Sequence, residues 1–373
     1  MKKIIIIGGG FAGISAARAL RKSGRGLDIV LIDKKQTFDF LPLLPDCIGR
    51  GINPENLVCK IDSICRKLEI SFVNEEVLSV NLEQKQLRTE GVNLSYDYLI
   101  IASGRETNFY GNDNIKINAY PLDNAADAKR IALEIKKNNF ENYIIAGGGY
   151  TGIEVATNLR LLLNKAGKAG QIVVVERAPG ILGQLPQWMK LYAGANLEKL
   201  RIKVYTGKSI NKIENSKVWL SDGEELNNCF VIWTAGVETS RFIQDLTVEK
   251  NPQGRIKTDA YLRLNKACFA AGDAANFSYK DNFLRMAVQF SIAEGESAAK
   301  NIIRSIKGKK LCQFKPVDLG YIIPMANNRS CGKVFGFNVR GVIPTLLHFI
   351  MCIYRSCSLK NKIGILRNLS KGG

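Results

Sequence analysis

One hydrophobic pattern occurs twice along the chain. The apolar run in Lys2–Ile7 is followed by three glycines and then by Phe11–Leu20, where apolar residues recur at helical spacing. Tyr143–Ala146, three more glycines and Ile153–Leu163 repeat it. A short unbroken apolar run that stops at glycine predicts a buried strand, and the 3.6-residue period after it predicts a helix. A second strand follows each helix, Ile29–Ile32 before Asp33 and Ile172–Val175 before Glu176. The pattern therefore predicts an α/β chain with two strand–turn–helix–strand units.

The turns carry the candidate chemistry. The first reads Gly8, Gly9, Gly10, Phe11, Ala12, Gly13 and the second Gly147, Gly148, Gly149, Tyr150, Thr151, Gly152. Glycine permits the tight turn and lets backbone N–H groups and a helix N-terminus approach a pyrophosphate. One such string is weak evidence, because a plain chain reversal gives the same letters. Two strings, each between a strand and a helix, are specific. Each also has alanine four residues on, Ala17 and Ala156, where a small side chain lets helix pack on strand. Each second strand ends in an acid that can accept hydrogen bonds from a ribose diol, Asp33 and Glu176. Two nucleotide sites in one chain imply electron transfer between two cofactors.

Three further segments follow in order: Tyr96–Gly104, ending Ala102, Ser103, Gly104; Val231–Val237, containing Ala235 and Gly236; and Cys268–Ala275, containing Gly272 and Asp273. With the two glycine turns, this order resembles the two-dinucleotide flavoprotein oxidoreductases. The resemblance implies two Rossmann-like domains, FAD in the first and NAD(P)H in the second, with the NAD domain inserted into the FAD domain. It implies that Gly8, Gly10, Phe11, Ala12, Gly13, Asp33, Lys34, Ala102, Ser103, Gly104, Gly272 and Asp273 hold FAD, Asp273 through the ribityl or phosphate groups. It implies that Gly147, Gly149, Tyr150, Thr151, Gly152, Glu176, Ala235 and Gly236 hold the nicotinamide nucleotide. The expected boundaries are 1–115 and 246–325 for the FAD domain, 116–245 for the NAD domain and 326–373 for a C-terminal region. A length of 373 residues and 46% hydrophobic content suit that layout.

Cysteine and histidine usage narrows the chemistry. Nine cysteines are present, but Cys47, Cys59 and Cys65 lack the close spacing of a thiol relay beside a flavin, and Cys352 and Cys357 lie far along the chain. Most read as buried free thiols. The single histidine, His348, sits in an apolar segment, which disfavours zinc and histidine triads. No metal site is expected.

Electrons must then leave for a diffusible acceptor, and the C-terminus suggests where it is met. After Asp318 there is no Asp or Glu, while Arg329, Lys333, Arg340, Arg355, Lys360, Lys362, Arg367 and Lys371 are basic. The apolar run Val342–Tyr354 is shorter than the roughly 20 residues of a bilayer span. Ile363, Ile365, Leu366 and Leu369 follow at roughly helical spacing. An amphipathic helical segment lying on an anionic membrane surface is expected. A net charge of +19 agrees, and no nucleic-acid-binding motif accompanies it.

Together these features resemble the type II NADH:quinone oxidoreductases. The likeness includes Phe40–Pro45, Gly152–Glu154, Val175–Pro179, Lys333–Gly336 and Arg340–Gly341. It implies a peripheral membrane protein on the cytoplasmic face that passes hydride from NADH to FAD and electrons to a quinone or related acceptor, without proton pumping. Glu154 is implied to lie near flavin and nicotinamide, and its plain role is a helix first-turn acid. Gln289 is implied to reach the quinone, and its plain role is a core-edge amide. The family has a second Gln where this chain has Ala293. A sulfide:quinone oxidoreductase, drawing on Cys312 or Cys331, and a flavin-containing NADH-sensing or scaffold protein are the alternatives. Monomer or homodimer is left open.

Overall fold

Each apolar run before a glycine turn becomes the central strand of a five-stranded parallel sheet in the computed structural model, which describes residues 1–24, 26–280 and 282–371. Two compact units result. The first comprises Met1–Phe38, Cys59–Glu106 and Val237–Asp318, and the second Asp39–Val58, Thr107–Gly236 and Leu319–Gly373.

In the first unit the strand order is Cys268–Ala270, Tyr98–Ile101, Lys2–Ile7, Leu27–Ile32, Ser71–Val73. Lys2 pairs with Leu27 and Ile7 with Ile32 in parallel register. Ile4, Ile5 and Ile6 are fully buried because helices or loops cover both faces, as the unbroken apolar run requires. The second unit repeats the plan in the order Tyr120–Pro121, Cys229–Trp233, Asn142–Ala146, Gln171–Glu176, Ile202–Thr206. A three-stranded antiparallel sheet precedes the returning strand in each unit, built from Val77–Asn81, Gln86–Thr89 and Asn93–Ser95 in the first and from Ile210–Glu214, Lys217–Leu220 and Glu225–Leu226 in the second.

This order has a consequence for ligand binding. The chain leaves the central strand on one side and returns on the other, so a crevice opens where the two directions part, outside the carboxyl ends of the strands. In the first unit that point lies between Ile7 and Ile101, and in the second between Ala146 and Trp233. Both glycine turns start there.

The C-terminal residues are built into the second unit. Gly320–Ile323, Ser330–Val334 and Phe337–Gly341 form an antiparallel sheet whose Ile323 and Cys331, with Met325, join the core around Ile145 and Val174. The helices Val342–Arg355 and Leu359–Lys371 follow. The expected insertion at 116–245 and tail at 326–373 thus stand beside an observed unit that begins at Thr107, ends at Gly236 and resumes at Leu319, and that also takes Asp39–Val58. Among the described residues no helix is long and apolar enough to cross a membrane. The side chain of Lys371 lies outside the described residues.

The last helix has its polarity reversed. Asn368 Oδ1 accepts from the Asn53 amide at 3.0 Å and from Asn56 Nδ2 at 2.8 Å, and Asn361 Nδ2 donates to the Asn56 and Val58 carbonyls. Gly364 lies against Asn56, where a Cβ would collide. Ile365 is turned inward, but Leu359, Ile363 and Leu366 face out. The preceding helix likewise exposes Ile343, Leu346, Ile350 and Tyr354, three or four residues apart on one stripe.

Candidate functional site

The first glycine turn is shaped around open space. Gly8 sits at φ +106°, and a Cβ on it or on Gly13 would run into the backbone of Ala102 or of Gly8 itself. Gly10 differs: at φ −81° and ψ −165° its backbone suits any residue, and a Cβ there meets nothing within 4 Å. Gly10 is the N-cap of Phe11–Lys22, offers no capping side chain, and is followed by no acid in the first turn. The start of that helix, with no capping side chain on Gly10 and no acid in its first turn, therefore faces the open space, a setting suited to a pyrophosphate.

Asp33 closes the turn. Its Oδ2 accepts from the Gly9 amide at 2.6 Å and its Oδ1 from the Lys35 amide at 2.7 Å. Burial still pushes its carboxyl pKa up, because these bonds and the nearby lysines offset only part of the desolvation. Lys34 is tied to Glu76 and Glu106 at 2.9 and 2.6 Å, and Phe11 packs edge-on against Phe38. Across the crevice, the Ser103 and Ser240 hydroxyls lie 3.2 Å apart, and Gly104 takes φ +72°. Gly272 also has a positive φ, against Ala12, and the Asp273 carboxylate lies 3.3 Å from Arg105 Nε.

Sequence reading missed what holds that second segment. Glu294 is 1% exposed and its Oε2 accepts from the Gly272 amide at 2.6 Å. Burial raises its carboxyl to about 8, with the Gly272 bond and Arg255 pulling the other way. Arg255, also buried, donates to the carbonyls of Asp273 and Leu284 and to that of Ala275. Gly295, next to Glu294, lets the helix Val288–Ile306 press directly on the Ala12 backbone. An acid on the inward face of an amphipathic helix, followed by glycine, was the available signal.

The second turn repeats the first. Gly147 has φ +104°, Gly152 admits no Cβ against Gly147, and Gly149 faces open space at φ −76° and ψ −168°. Glu176 Oε2 accepts from the Gly148 amide and Oε1 from the Ala178 amide, both at 2.7 Å. Ala235 flanks Gly147, and Gly236, at φ +78°, packs against the Tyr110 hydroxyl. The Arg177 guanidinium lies over the Tyr110 ring, 5.4 Å from its centroid. Tyr150 opens the helix Tyr150–Lys165, edge-on to Tyr321, and Thr151 follows it.

Glu154, on that helix and half-buried, borders a buried cluster that the sequence did not announce. Gly49 allows the short helix Leu44–Gly49 to touch the Asn158 backbone, which brings Asp46 into the same space. Asp46 is 2% exposed, with Arg50 Nε 3.1 Å from its Oδ1 and His348 Nε2 3.9 Å from its Oδ2. Cys352 Sγ lies 3.7 Å from His348 Nε2. Burial pushes Asp46 up to about 7 against the pull of Arg50, and pushes His348 down to about 4, with Arg50 adding to the effect. The His348–Asp46 contact is therefore that of a neutral imidazole, since Arg50 is the nearer cation. Burial first, then Asp46, pushes the Glu154 carboxyl well above its ordinary value.

These opposed shifts give a testable sign. Asp46, raised, contributes stability that is full below about pH 4 and lost as pH rises through about 7; His348, lowered, contributes stability that is full above about 6.5 and lost as pH falls through about 4. Between those limits the two slopes oppose one another. Asp46→Asn removes one of them, so the variant should gain on the parent by about 2 kcal/mol as pH rises from about 5 to about 7. Urea unfolding at both pH values checks it, and a stability difference independent of pH would contradict the assignment.

Gln289 does not stand alone. It lies in the first turn of Val288–Ile306, where its Nε2 donates to Asp318 Oδ1 at 3.1 Å, and Arg285 grips the same carboxylate with both terminal nitrogens. Ala293, half-buried, packs against the cluster of Leu262, Phe277 and Phe314. Of the thiols named for sulfide chemistry, Cys331 is buried and raised to about 11 by that burial, whereas Cys312 is exposed.

Comparison with known proteins agrees with this geometry. The type II NADH:quinone oxidoreductases of Staphylococcus aureus and Staphylococcus haemolyticus are each 27% identical to this chain over 369 residues, covering 91% of either sequence. Among solved structures, NDH2 from Plasmodium falciparum in complex with NADH superposes with a TM-score of 0.87 at 19% identity, covering 99% of this chain and 98% of that one. A NAD-dependent persulfide reductase from A. fulgidus matches with a TM-score of 0.77 at 20% identity, over 89% of this chain and 64% of its own. At such identities the structural likeness speaks for the fold. The family model described as pyridine nucleotide-disulphide oxidoreductase matches residues 2–299, spanning both glycine turns and the Gly272–Asp273 segment. The chain belongs to the pyridine nucleotide-disulphide oxidoreductase family.

Proposed function

We propose that this protein is a type II NADH:quinone oxidoreductase that works at a membrane surface without pumping protons. One observation carries the reading: two glycine turns, each opening on free space and each closed by a hydrogen-bonded acid, occur in a chain alignable over 91% of its length with enzymes of that name. FAD, when bound, would supply the two-electron chemistry that links NADH to a quinone. The amides around Gly8–Gly13 would hold the FAD pyrophosphate, and Asp33 would accept from its adenosine ribose. Lys34, Ala102, Ser103, Gly104 and Asp273 complete that site. Gly147–Gly152 and Glu176 do the same for NADH, with Ala235 and Gly236 across the crevice.

The remaining residues orient substrates and hold protons. Glu154, whose carboxyl pKa burial raises, would orient the nicotinamide or relay a proton to the acceptor. Gln289, fixed by Asp318, offers its amide to a quinone carbonyl. The outward stripes of the two terminal helices and the cations around them rest on anionic lipid at the cytoplasmic face. Steady-state turnover tests the reading: NADH with a quinone should support it, and sulfide with the same quinone should not. Sulfide-driven reduction without NADH would favour the cysteine-based alternative. NADH bound with no quinone-dependent turnover would favour a sensor or scaffold.

Nicotinamide choice is a further expectation. Both Glu176 oxygens are committed to backbone amides, so the carboxylate stays in place to accept from ribose hydroxyls and to repel a 2′-phosphate, while Arg177 is drawn aside onto Tyr110. kcat/KM should favour NADH over NADPH by about tenfold or more, or at least about 1.4 kcal/mol, and Glu176→Gln should narrow the ratio. Equal values in the parent would contradict the role of Glu176.

A further inference from the structure

The hairpin Ser330–Gly341 carries a feature that neither the fold nor the electron-transfer site uses. Val334 pairs with Phe337, leaving Phe335 and Gly336 as a two-residue loop with φ of 48° and 87°. Positive φ at both loop positions marks a type I′ turn, whose favoured sequence is Asn-Gly. Phenylalanine in the left-handed region is uncommon and strained. The side chain gains no burial in return: Phe335 is 71% exposed and Phe337 76%. Two aromatic rings thus project at a hairpin tip where a polar residue would fit the backbone better.

The surroundings indicate what the rings meet. Lys333 precedes the tip and Arg340 stands at the base of the hairpin, both exposed, and no acid occurs after Asp318. The hairpin is coupled to the first terminal helix, which begins at Val342 directly after the strand ends, and the Ser330 and Thr345 hydroxyls are 2.6 Å apart in a buried contact. Aromatic rings flanked by cations suit the headgroup boundary of an anionic bilayer, where the ring is desolvated and the ammonium or guanidinium stays with the phosphates.

We propose that the Phe335–Gly336–Phe337 tip is an aromatic wedge that inserts into an anionic lipid surface, a third anchoring element besides the two terminal helices. The inference rests on the membrane reading above. A single substitution tests it, because Phe335→Asn creates the turn's favoured sequence while removing the wedge. The full-length variant should melt at the parent's temperature or higher, yet bind mixed phosphatidylglycerol–phosphatidylcholine vesicles about tenfold more weakly, or about 1.4 kcal/mol. Unchanged affinity for the vesicles would overturn the wedge. If Ile343→Ser combined with Ile350→Ser weakens binding while Phe335→Asn does not, the wedge falls and the membrane reading survives. If the parent binds no vesicles, both fall. Sedimentation that reveals self-association of the parent, lost in Phe335→Asn with vesicle binding intact, would assign the tip to a second copy of the chain and would also overturn the proposal.

Discussion

Gly10→Val should purify as a folded but colourless protein. The backbone at Gly10 is extended and a Cβ there touches nothing, so valine costs the unliganded fold little. The same branched side chain occupies the space that the helix N-terminus faces, where a pyrophosphate must approach the backbone. Flavin affinity should fall by about a hundredfold or more, a loss of about 2.7 kcal/mol. Gly13→Val is the contrast: its Cβ would collide with the Gly8 carbonyl, so that variant should fail to fold. Absorbance near the flavin bands, alongside circular dichroism, separates the two. A yellow Gly10→Val protein with full flavin content would remove the first-site assignment.

Ile343→Ser combined with Ile350→Ser should uncouple the two half-reactions. These positions are 66% and 60% exposed, so replacing them should leave stability within about 0.5 kcal/mol of the parent. On a bilayer, however, each isoleucine contributes part of the roughly 1.5–3 kcal/mol that full burial of such a side chain is worth. NADH oxidation with a water-soluble acceptor should persist, while turnover with a long-chain quinone in vesicles should fall by about tenfold or more. Higher salt should weaken the parent's vesicle binding through its basic residues, since the Debye length shrinks from about 10 Å at 0.1 M to about 3 Å at 1 M. Vesicle turnover at the parental rate would make the apolar stripes an ordinary solvent-facing cover.

The parts of the molecule that were legible in sequence are those set by local rules. The glycine turns, the strands before them and the acids Asp33 and Glu176 follow from spacing along one βαβ unit, whereas the bond from each acid to a glycine amide, Gly9 or Gly148, emerged only in the structure. Ala17 and Ala156 are buried as helix packing demands. What stayed hidden depends on elements remote in sequence. Asp46 and His348 are 302 positions apart and acquire their shifted pKa values only where the helices Leu44–Gly49, Tyr150–Lys165 and Val342–Arg355 supply a common buried environment. Glu294 acquires its role only through its bond to the Gly272 amide, 22 positions away. The C-terminal pattern predicted amphipathic helices on a membrane surface, yet not that Asn361 and Asn368 would bond to Asn56, because that partner lies 305 and 312 positions away. Ala293, where the family has its second Gln, packs at the edge of the cluster of Leu262, Phe277 and Phe314.

The central claim is that one chain passes electrons from a nicotinamide to a quinone through a tightly held flavin, and anaerobic stopped-flow absorbance tests it most directly. Mixing the purified protein with NADH should bleach the oxidised-flavin band within a catalytic turnover time, and a second mix with a quinone should restore it at a comparable rate. Gly149→Val, which fills the open space at the second turn, should abolish the bleaching while leaving the flavin bound. A flavin that NADH leaves oxidised, or one that NADH bleaches and a quinone does not reoxidise, would contradict the account.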